Sequence, residues 1–101
     1  MSTMHSDHFD PYVLNVLMPD LVGHDRSPAA FVVYLYLLGK STRARRDTIV
    51  ASLQTIATET GLSKSAVQIA LRLLKRRGLL DAAVAATVTQ PARRVLKPWI
   101  R

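Results

Sequence analysis

Hydrophobic positions recur with helical spacing in four stretches of the chain, and near the C-terminal end they give way to a run rich in Val, Ala and Thr. Apolar residues three and four positions apart mark one face of a helix. The pattern predicts four helices, over Tyr12–Met18, Ala29–Lys40, Leu53–Thr60 and Lys64–Arg77, with a short strand at Thr48–Val50. A C-terminal β-hairpin is predicted from strands Leu79–Thr89 and Arg93–Ile100 about a turn at Gln90-Pro91-Ala92. We therefore expect a mainly α fold with a small β-hairpin.

Residues with strong positional preferences mark the helix ends. Asp and Ser favour the N-cap, and Pro favours the first helical position. The predicted starts are Asp10-Pro11, Ser27-Pro28, Ser52 and Ser63. The predicted stops are Pro19 with Gly23, Gly39, Gly61, and Gly78 at the position after the C-cap.

The second predicted helix is apolar on nearly every face, because every residue of Phe31–Leu38 is hydrophobic. Such a helix must be covered on all sides, and the rest of a small domain can cover only part of it. We expect a homodimer through residues 12–18 and 29–38. Tyr34 and Tyr36 lie on opposite sides of this helix, so one is expected in the core and the other at an interface.

The stretch with the most information is Ser52–Leu80, SLQTIATETGLSKSAVQIALRLLKRRGLL. Its first helix has one buried face, Leu53, Ile56, Ala57 and Thr60, and Gly61 then permits a sharp turn. In the second helix the inner face is predicted to be Val67, Ala70, Leu71 and Leu74. Two short helices about a tight glycine turn predict a helix-turn-helix.

The opposite face of the second helix carries polar and basic side chains suited to a DNA groove. It consists of Ser65, Ile69, Arg72 and Arg76, with Gln68 and Lys75 on its flank. Gln68 can pair with adenine and Arg72 with guanine, whereas Ser63 and Lys64 at the helix start suit phosphate. The alternative is an ordinary helical hairpin whose Lys and Arg side chains form a solvated face.

The same stretch resembles the winged helix-turn-helix of small bacterial transcriptional regulators, in the group that includes MarR-like and GntR-like domains. The matching residues are Ile56-Ala57, Gly61-Leu62-Ser63, Val67-Gln68, Ala70-Leu71, Leu74 and Arg77-Gly78-Leu79-Leu80. The resemblance implies that the second helix reads the major groove of duplex DNA and that the hairpin, the wing, contacts the backbone or minor groove. By position it implies DNA contacts from Ser63, Lys64, Ser65, Gln68 and Arg72, and from Arg93 and Arg94 on the wing. Arg76 joins this set from its place on the outer face.

Two positions depart from that group, because Ile69 and Leu73 are apolar where relatives often carry polar residues. Ile69 either touches a thymine methyl or belongs to an apolar contact with the N-terminal segment or a second chain. For Leu73 we favour the protein contact.

The net charge of +7 is unevenly distributed along the chain. Residues 1–25 contain four acids and no Lys or Arg, whereas residues 26–101 contain 14 bases and three acids, giving −4 and +11. We therefore divide the chain into an acidic arm with a short helix (1–26) and a basic DNA-binding domain (27–101). A domain this basic favours a polyanionic partner.

Three further groups have two interpretations each. Arg93 and Arg94 are expected at the hairpin tip, either on phosphate or as a solvated turn. The cluster Arg43, Arg45 and Arg46 either touches flanking phosphates or forms a mobile basic loop. Trp99 is expected to pin the last strand to the core rather than stack on a base.

The sequence lacks the patterns that are typical of metal-binding, catalytic and membrane proteins. The chain has no cysteine, and the His5/His8 pair is too sparse for a metal site, so we expect no metal and no cofactor. No catalytic motif is present, and we expect neither enzymatic activity nor a small-molecule ligand. No apolar run is long enough to span a bilayer and no secretory signal is visible, so we expect a cytoplasmic protein without membrane contact. Two alternatives stay open: a protein-interaction module, and a DNA-binding protein of plasmid or phage replication or partition.

Overall fold

The computed structural model describes residues 10–81 and 91–100, and most of these residues are helical. An N-terminal segment comes first and has two π-helical parts, Val13–Leu17 and Pro19–His24. Helix α1 (Pro28–Ala44), strand β1 (Thr48–Val50), helix α2 (Leu53–Thr60), helix α3 (Lys64–Arg76) and strand β2 (Ala92–Arg94) follow. Within the described ranges, no helix has the length and apolar character needed to cross a membrane.

Helices α2 and α3 begin where the sequence predicts. The hydroxyls of Ser52 and Ser63 each accept a hydrogen bond of 3.1 Å from the backbone N–H three residues later. Each serine thus satisfies one of the N–H groups that a helix start leaves without a partner. Ser27 caps α1 in the same way, with Pro28 in the first helical position, as predicted.

The same two helices also end at the predicted glycines. Gly61 has φ +85°, and its N–H donates to the carbonyl of Ala57. Gly78 has φ +73° and follows the C-cap of α3. The N–H groups of Gly78 and Leu79 bond back to the last turn of α3, which closes the helix in a Schellman motif. A residue with a Cβ adopts this backbone conformation only with strain.

The N-terminal segment differs from the prediction, because Pro19 and Gly23 do not end the helix after Met18. Helical structure continues to His24, and the bonds at both C-caps span five residues, from Met18 N–H to the Val13 carbonyl and from Asp25 N–H to that of Asp20. Proline lacks an N–H and its ring clashes with the carbonyl four residues earlier in an α-helix. The wider π-helical turn accommodates Pro19 without a break.

Helix α1 is longer than predicted, since it runs through Gly39 and ends at Ala44. Ser41 is buried, and its hydroxyl donates to the carbonyl of Arg46 at 2.5 Å. Arg45 closes the helix with φ +57°. Burial of Leu38 and Ser41 on either side thus overrides the weak helix propensity of Gly39.

The β-structure ties the segment before α2 to the end of the chain. Strand β1 pairs antiparallel with β2, with Thr48 opposite Arg94 and Val50 opposite Ala92. Directly after β2, Val95 forms an antiparallel bridge with Leu80, which follows α3. The structure therefore describes the base of a hairpin after α3, whereas most of the predicted first strand (82–89) and Gln90 of the predicted turn lie outside the described residues.

Two details of the predicted hairpin are wrong. Pro91 and Ala92 do not form a turn, because the Pro91 carbonyl accepts from the Ala51 N–H at 3.1 Å and Ala92 lies in β2. The second extended segment does not reach Ile100, since a turn closed by a bond from the Ile100 N–H to the Lys97 carbonyl follows it. Pairing to β1, which local sequence does not reveal, sets these limits.

One hydrophobic core joins all the elements. It extends from Val13, Leu17 and Leu21 of the N-terminal segment through α1 and α3 to Val95. Tyr34 lies fully buried in this core, as expected for one of the two tyrosines, and its hydroxyl donates to the Leu96 carbonyl at 2.7 Å.

Trp99 pins the C-terminal end, as predicted. Its ring stacks on that of Tyr12 with centroids 4.6 Å apart, and its indole N–H donates to the Asp10 carboxylate at 2.8 Å. This contact attaches the end of the chain to the start of the N-terminal segment. The helices, the strand before α2 and the hairpin after α3 together form a winged helix-turn-helix fold.

Candidate nucleic-acid interface

Helix α3 packs its apolar face against the core and exposes its opposite face to solvent. Its buried side chains are the four predicted ones, Val67, Ala70, Leu71 and Leu74. They pack against α1 and α2. Since these residues occupy one side of the helix, the side chains half a turn away point to solvent.

The outward side of α3 carries the predicted contact residues, and the structure brings six of them together on one exposed surface. We call this surface the α3 face; it comprises Ser63, Lys64, Ser65, Gln68, Ile69, Arg72, Lys75 and Arg76, all exposed. Lys75, which was not in the predicted contact set, shares the surface. Ser63 has a second task there, because its hydroxyl also caps the helix.

The cations of the α3 face lack a counter-charge within the described part of the chain. Among the residues that the structure describes, Lys64, Arg72, Lys75 and Arg76 form no ion pair. Four positive charges on one helix face attract an anionic partner. The α3 face therefore combines cationic and hydrogen-bonding groups on a helix that is free to enter a groove.

Arg77 follows directly in sequence but points elsewhere. Its guanidinium donates to the Asp25 carboxylate at 2.6 Å and also to the Asp20 carboxylate. The side chain is 30% exposed and that of Asp25 only 13%. Arg77 therefore holds the N-terminal segment against the end of α3 and is not part of the α3 face.

Ile69 and Leu73, the two apolar residues of α3 at positions where relatives are often polar, differ in their exposure. Leu73 is half-buried and packs against the core, whereas its contact with the N-terminal segment or a second chain stays a prediction. Ile69 is 58% exposed, so the N-terminal segment does not cover it.

Arg93 and Arg94 do not lie at a hairpin tip, because both belong to β2 and pair with Ile49 and Thr48. Arg93 is half-buried, its Nε donates to the Ala51 carbonyl at 3.0 Å, and burial lowers its pKa. Arg94 is exposed and lies 3.2 Å from the Asp47 carboxylate and 3.3 Å from that of Asp81. Both side chains therefore stabilise the base of the wing.

The basic cluster after α1 is separate from the α3 face. Arg43 lies in the last turn of α1 rather than in a loop. Arg45 and Arg46 line a cleft of about 600 Å³ with Lys97 and Ile100. This cleft lies at the start of β1, whereas the end of β1 leads into α2.

One arrangement in the described ranges has the ligand types of a metal site. Atoms of Asp20, His24 and Asp25 lie within 4.8 Å of one another. The Arg77 guanidinium donates to one oxygen of each carboxylate, and its positive charge disfavours a cation beside it. This arrangement is therefore better described as an ion pair; the His5/His8 pair lies outside the described residues.

Tyr36 is engaged within the chain. Its hydroxyl donates to Glu59 at 2.6 Å, and the Lys40 ammonium lies 3.4 Å from the same carboxylate. Burial and the bond to Glu59 raise the pKa of Tyr36 to about 12. The bond from Tyr36 also lowers the pKa of Glu59. These groups join α1 to α2, and a role for Tyr36 at an interface between chains stays a prediction.

Sequence reasoning missed the acidic partners of the basic residues. Asp20 and Asp25 lie 57 and 52 residues from Arg77, and Asp47 lies 47 residues from Arg94. No local pattern connects residues so far apart. The only available signal was the concentration of acids in residues 1–25, which indicated a segment away from the basic surface.

Comparison with known proteins agrees with this geometry. A family model described as a helix-turn-helix domain matches residues 27–80, which include α1, β1, α2 and α3. No curated protein and no solved structure matches the chain. The match neither confirms nor excludes the MarR-like or GntR-like subgroup. Because it covers more than half of the 101 residues, the chain belongs to this family of helix-turn-helix domains.

Proposed function

We propose that the protein binds double-stranded DNA in a sequence-specific manner and acts in the cytoplasm as a homodimeric transcriptional regulator. The observation that carries this proposal is the α3 face, where exposed cations that form no ion pair with any described residue surround side chains able to bond to bases. A helix with these properties, supported from behind by a packed core, suits insertion into the major groove.

Affinity would come mainly from the cations. Lys64 lies at the start of α3 and Arg76 at its end, so together they can reach phosphates on both sides of the groove. Ser63 and Ser65 add hydroxyls near the helix N-terminus, where backbone N–H groups also favour an anion. Each cation that neutralises a phosphate releases counterions, and binding therefore weakens steeply as salt increases.

Specificity for the base sequence of the DNA would come from side chains in the middle of α3. Gln68 and Arg72 are four residues apart and both exposed, so they lie about one turn apart along the groove. Gln68 has the donor and acceptor pair that matches adenine, and Arg72 has the two donors that match guanine. Each such pair discriminates against a wrong base by about 1–3 kcal/mol.

A contact between DNA and Arg93 or Arg94 of the wing would compete with bonds that these side chains already form within the chain. Arg94 would have to exchange its ion pairs with Asp47 and Asp81 for a phosphate. Arg93 can contact DNA only with the nitrogens that its bond to Ala51 leaves available. We therefore propose that the wing pair chiefly shapes the wing, and that α3 makes the main contacts.

The dimer proposal rests on the N-terminal segment more than on α1. Most apolar residues of α1 are buried within the chain, which leaves Val32 exposed. The N-terminal segment keeps a row of exposed apolar residues four positions apart: Leu14, Met18 and Val22. A second copy covering this row would present two α3 helices to successive turns of one face of DNA, about 34 Å apart.

Selection of bound duplexes from a random pool tests the proposal, together with light scattering of the free protein. We expect an enriched palindrome with half-sites about 10 base pairs apart and a mass twice that of the 11.2 kDa chain. Failure to enrich any duplex, with no salt-sensitive binding to random DNA, would exclude DNA binding and favour a protein-interaction module. A monomer at micromolar concentration would exclude the dimer.

A further inference from the structure

Ile69 is the most exposed apolar residue of the α3 face. Its side chain is 58% exposed and lies near the middle of the outward side. At about 100° per residue, it points almost directly away from the buried residues of α3. Its helical neighbours on the same surface are Ser65, four residues earlier, and Arg72, three residues later.

The described residues do not use this side chain in the core. Leu73, one turn further along, packs against the core, whereas Ile69 is absent from the apolar residues that contact it. Within the described part of the chain, Ile69 thus stabilises nothing. Its position matters only if something approaches the α3 face.

The charges around Ile69 decide between a protein and DNA as that partner. A protein surface that buried Ile69 would also bury Arg72 and Arg76, which form no ion pair among the described residues. Burial of unpaired charges is costly. Duplex DNA supplies phosphates for those cations and, in the major groove, one apolar group on the base edges, the C5 methyl of thymine.

We propose that Ile69 contacts the C5 methyl of a thymine in the major groove and so selects thymine at one position of each half-site. This inference rests on the proposed DNA binding. The helical order places that thymine between the bases that Ser65 and Arg72 face. Ile69 thereby becomes a specificity-determining residue beside Gln68 and Arg72.

Replacement of thymine by deoxyuridine tests the contact, because it removes only the methyl group. Loss of one buried methyl is expected to weaken binding about fourfold, and loss of both in a palindrome about 15-fold. Each thymine of the selected duplex is replaced in turn, and affinity is measured for the wild type and for Ile69→Ala. Val50→Ala, which truncates an exposed apolar residue of β1 outside the α3 face, is the matched control, and melting curves verify that both variants fold.

The inference predicts one thymine per half-site at which the wild type and Val50→Ala lose about fourfold in affinity while Ile69→Ala loses none. Ile69→Val, which keeps part of the apolar surface, should retain part of the penalty. A selected duplex without any thymine whose penalty depends on Ile69 would overturn the inference and leave DNA binding intact. A halved mass for Ile69→Ala would also overturn it, by assigning Ile69 to a subunit contact. Failure to enrich any duplex would overturn the proposed function itself.

Discussion

The neighbouring residues Arg76 and Arg77 are expected to differ completely in what they do. Arg77 is 30% exposed and donates to two carboxylates, of which Asp25 is only 13% exposed, whereas Arg76 is exposed and belongs to the α3 face. Replacing Arg77 with Met keeps much of the apolar stem and leaves Asp20 and Asp25 close together without their cation. Arg76→Met on the adjacent position is the matched control.

The structure indicates the size of the Arg77 effect. A hydrogen bond to a charged group contributes about 1.5–3 kcal/mol when buried, and an exposed ion pair about 0.2–1 kcal/mol. For two bonds at partial exposure we expect a loss of roughly 2 kcal/mol in the free energy of unfolding. For a domain of this size that loss lowers Tm by roughly 8–16 °C.

Thermal denaturation followed by circular dichroism measures both variants. Arg76→Met should stay within about 0.5 kcal/mol of the wild type, because Arg76 is exposed and forms no ion pair with the residues that the structure describes. Adding Asp20→Asn and Asp25→Asn to Arg77→Met should recover much of the loss, since no unpaired carboxylate is then left. Equal melting temperatures for Arg77→Met and Arg76→Met would refute the assignment of Arg77 to the fold.

Three further predictions concern pH, subunit contact and the wing. The hydrogen bond from the Trp99 indole lowers the pKa of Asp10 below its ordinary 3.8. The stability that the ionised Asp10 contributes is therefore present above that pH and is lost as pH falls through the lower pKa of the folded state. The difference in Tm between the wild type and Asp10→Asn should shrink on acidification, and a constant difference would contradict this assignment. Leu14→Glu together with Val22→Glu should convert the dimer to a monomer in light scattering without loss of helicity, whereas an unchanged dimer would locate the interface elsewhere. Arg94→Ala should lower Tm while leaving the salt slope of DNA binding nearly unchanged; a slope reduced by about one per protomer would instead identify a phosphate contact.

The helix-turn-helix was predictable because its signals are local. Ser52, Gly61, Ser63 and Gly78 each act within a few residues of their own position. The inner face of α3 follows from the spacing of apolar residues alone. Short-range chemistry thus determines the elements that present the α3 face.

The features that were not predictable depend on contacts between distant residues. Arg93 and Arg94 were expected at a turn after Pro91, but pairing with β1 places them in a ladder. Pro19 was expected to end a helix, but packing of Leu17 and Leu21 on either side of it retains helical structure with a wider turn. In both cases tertiary packing outweighs a local preference.

Salt-dependent binding to duplex DNA tests most directly whether the α3 face is the DNA-binding surface. Arg72→Ala with Arg76→Ala removes two cations from this face, and Arg43→Ala with Arg46→Ala removes two exposed cations outside it. Fluorescence anisotropy over a series of salt concentrations should show that the first pair lowers affinity and reduces the salt slope by about two per protomer, whereas the second pair leaves the slope nearly unchanged. Equal weakening by both pairs, or no salt-dependent binding by the wild type, would contradict the assignment of DNA binding to α3.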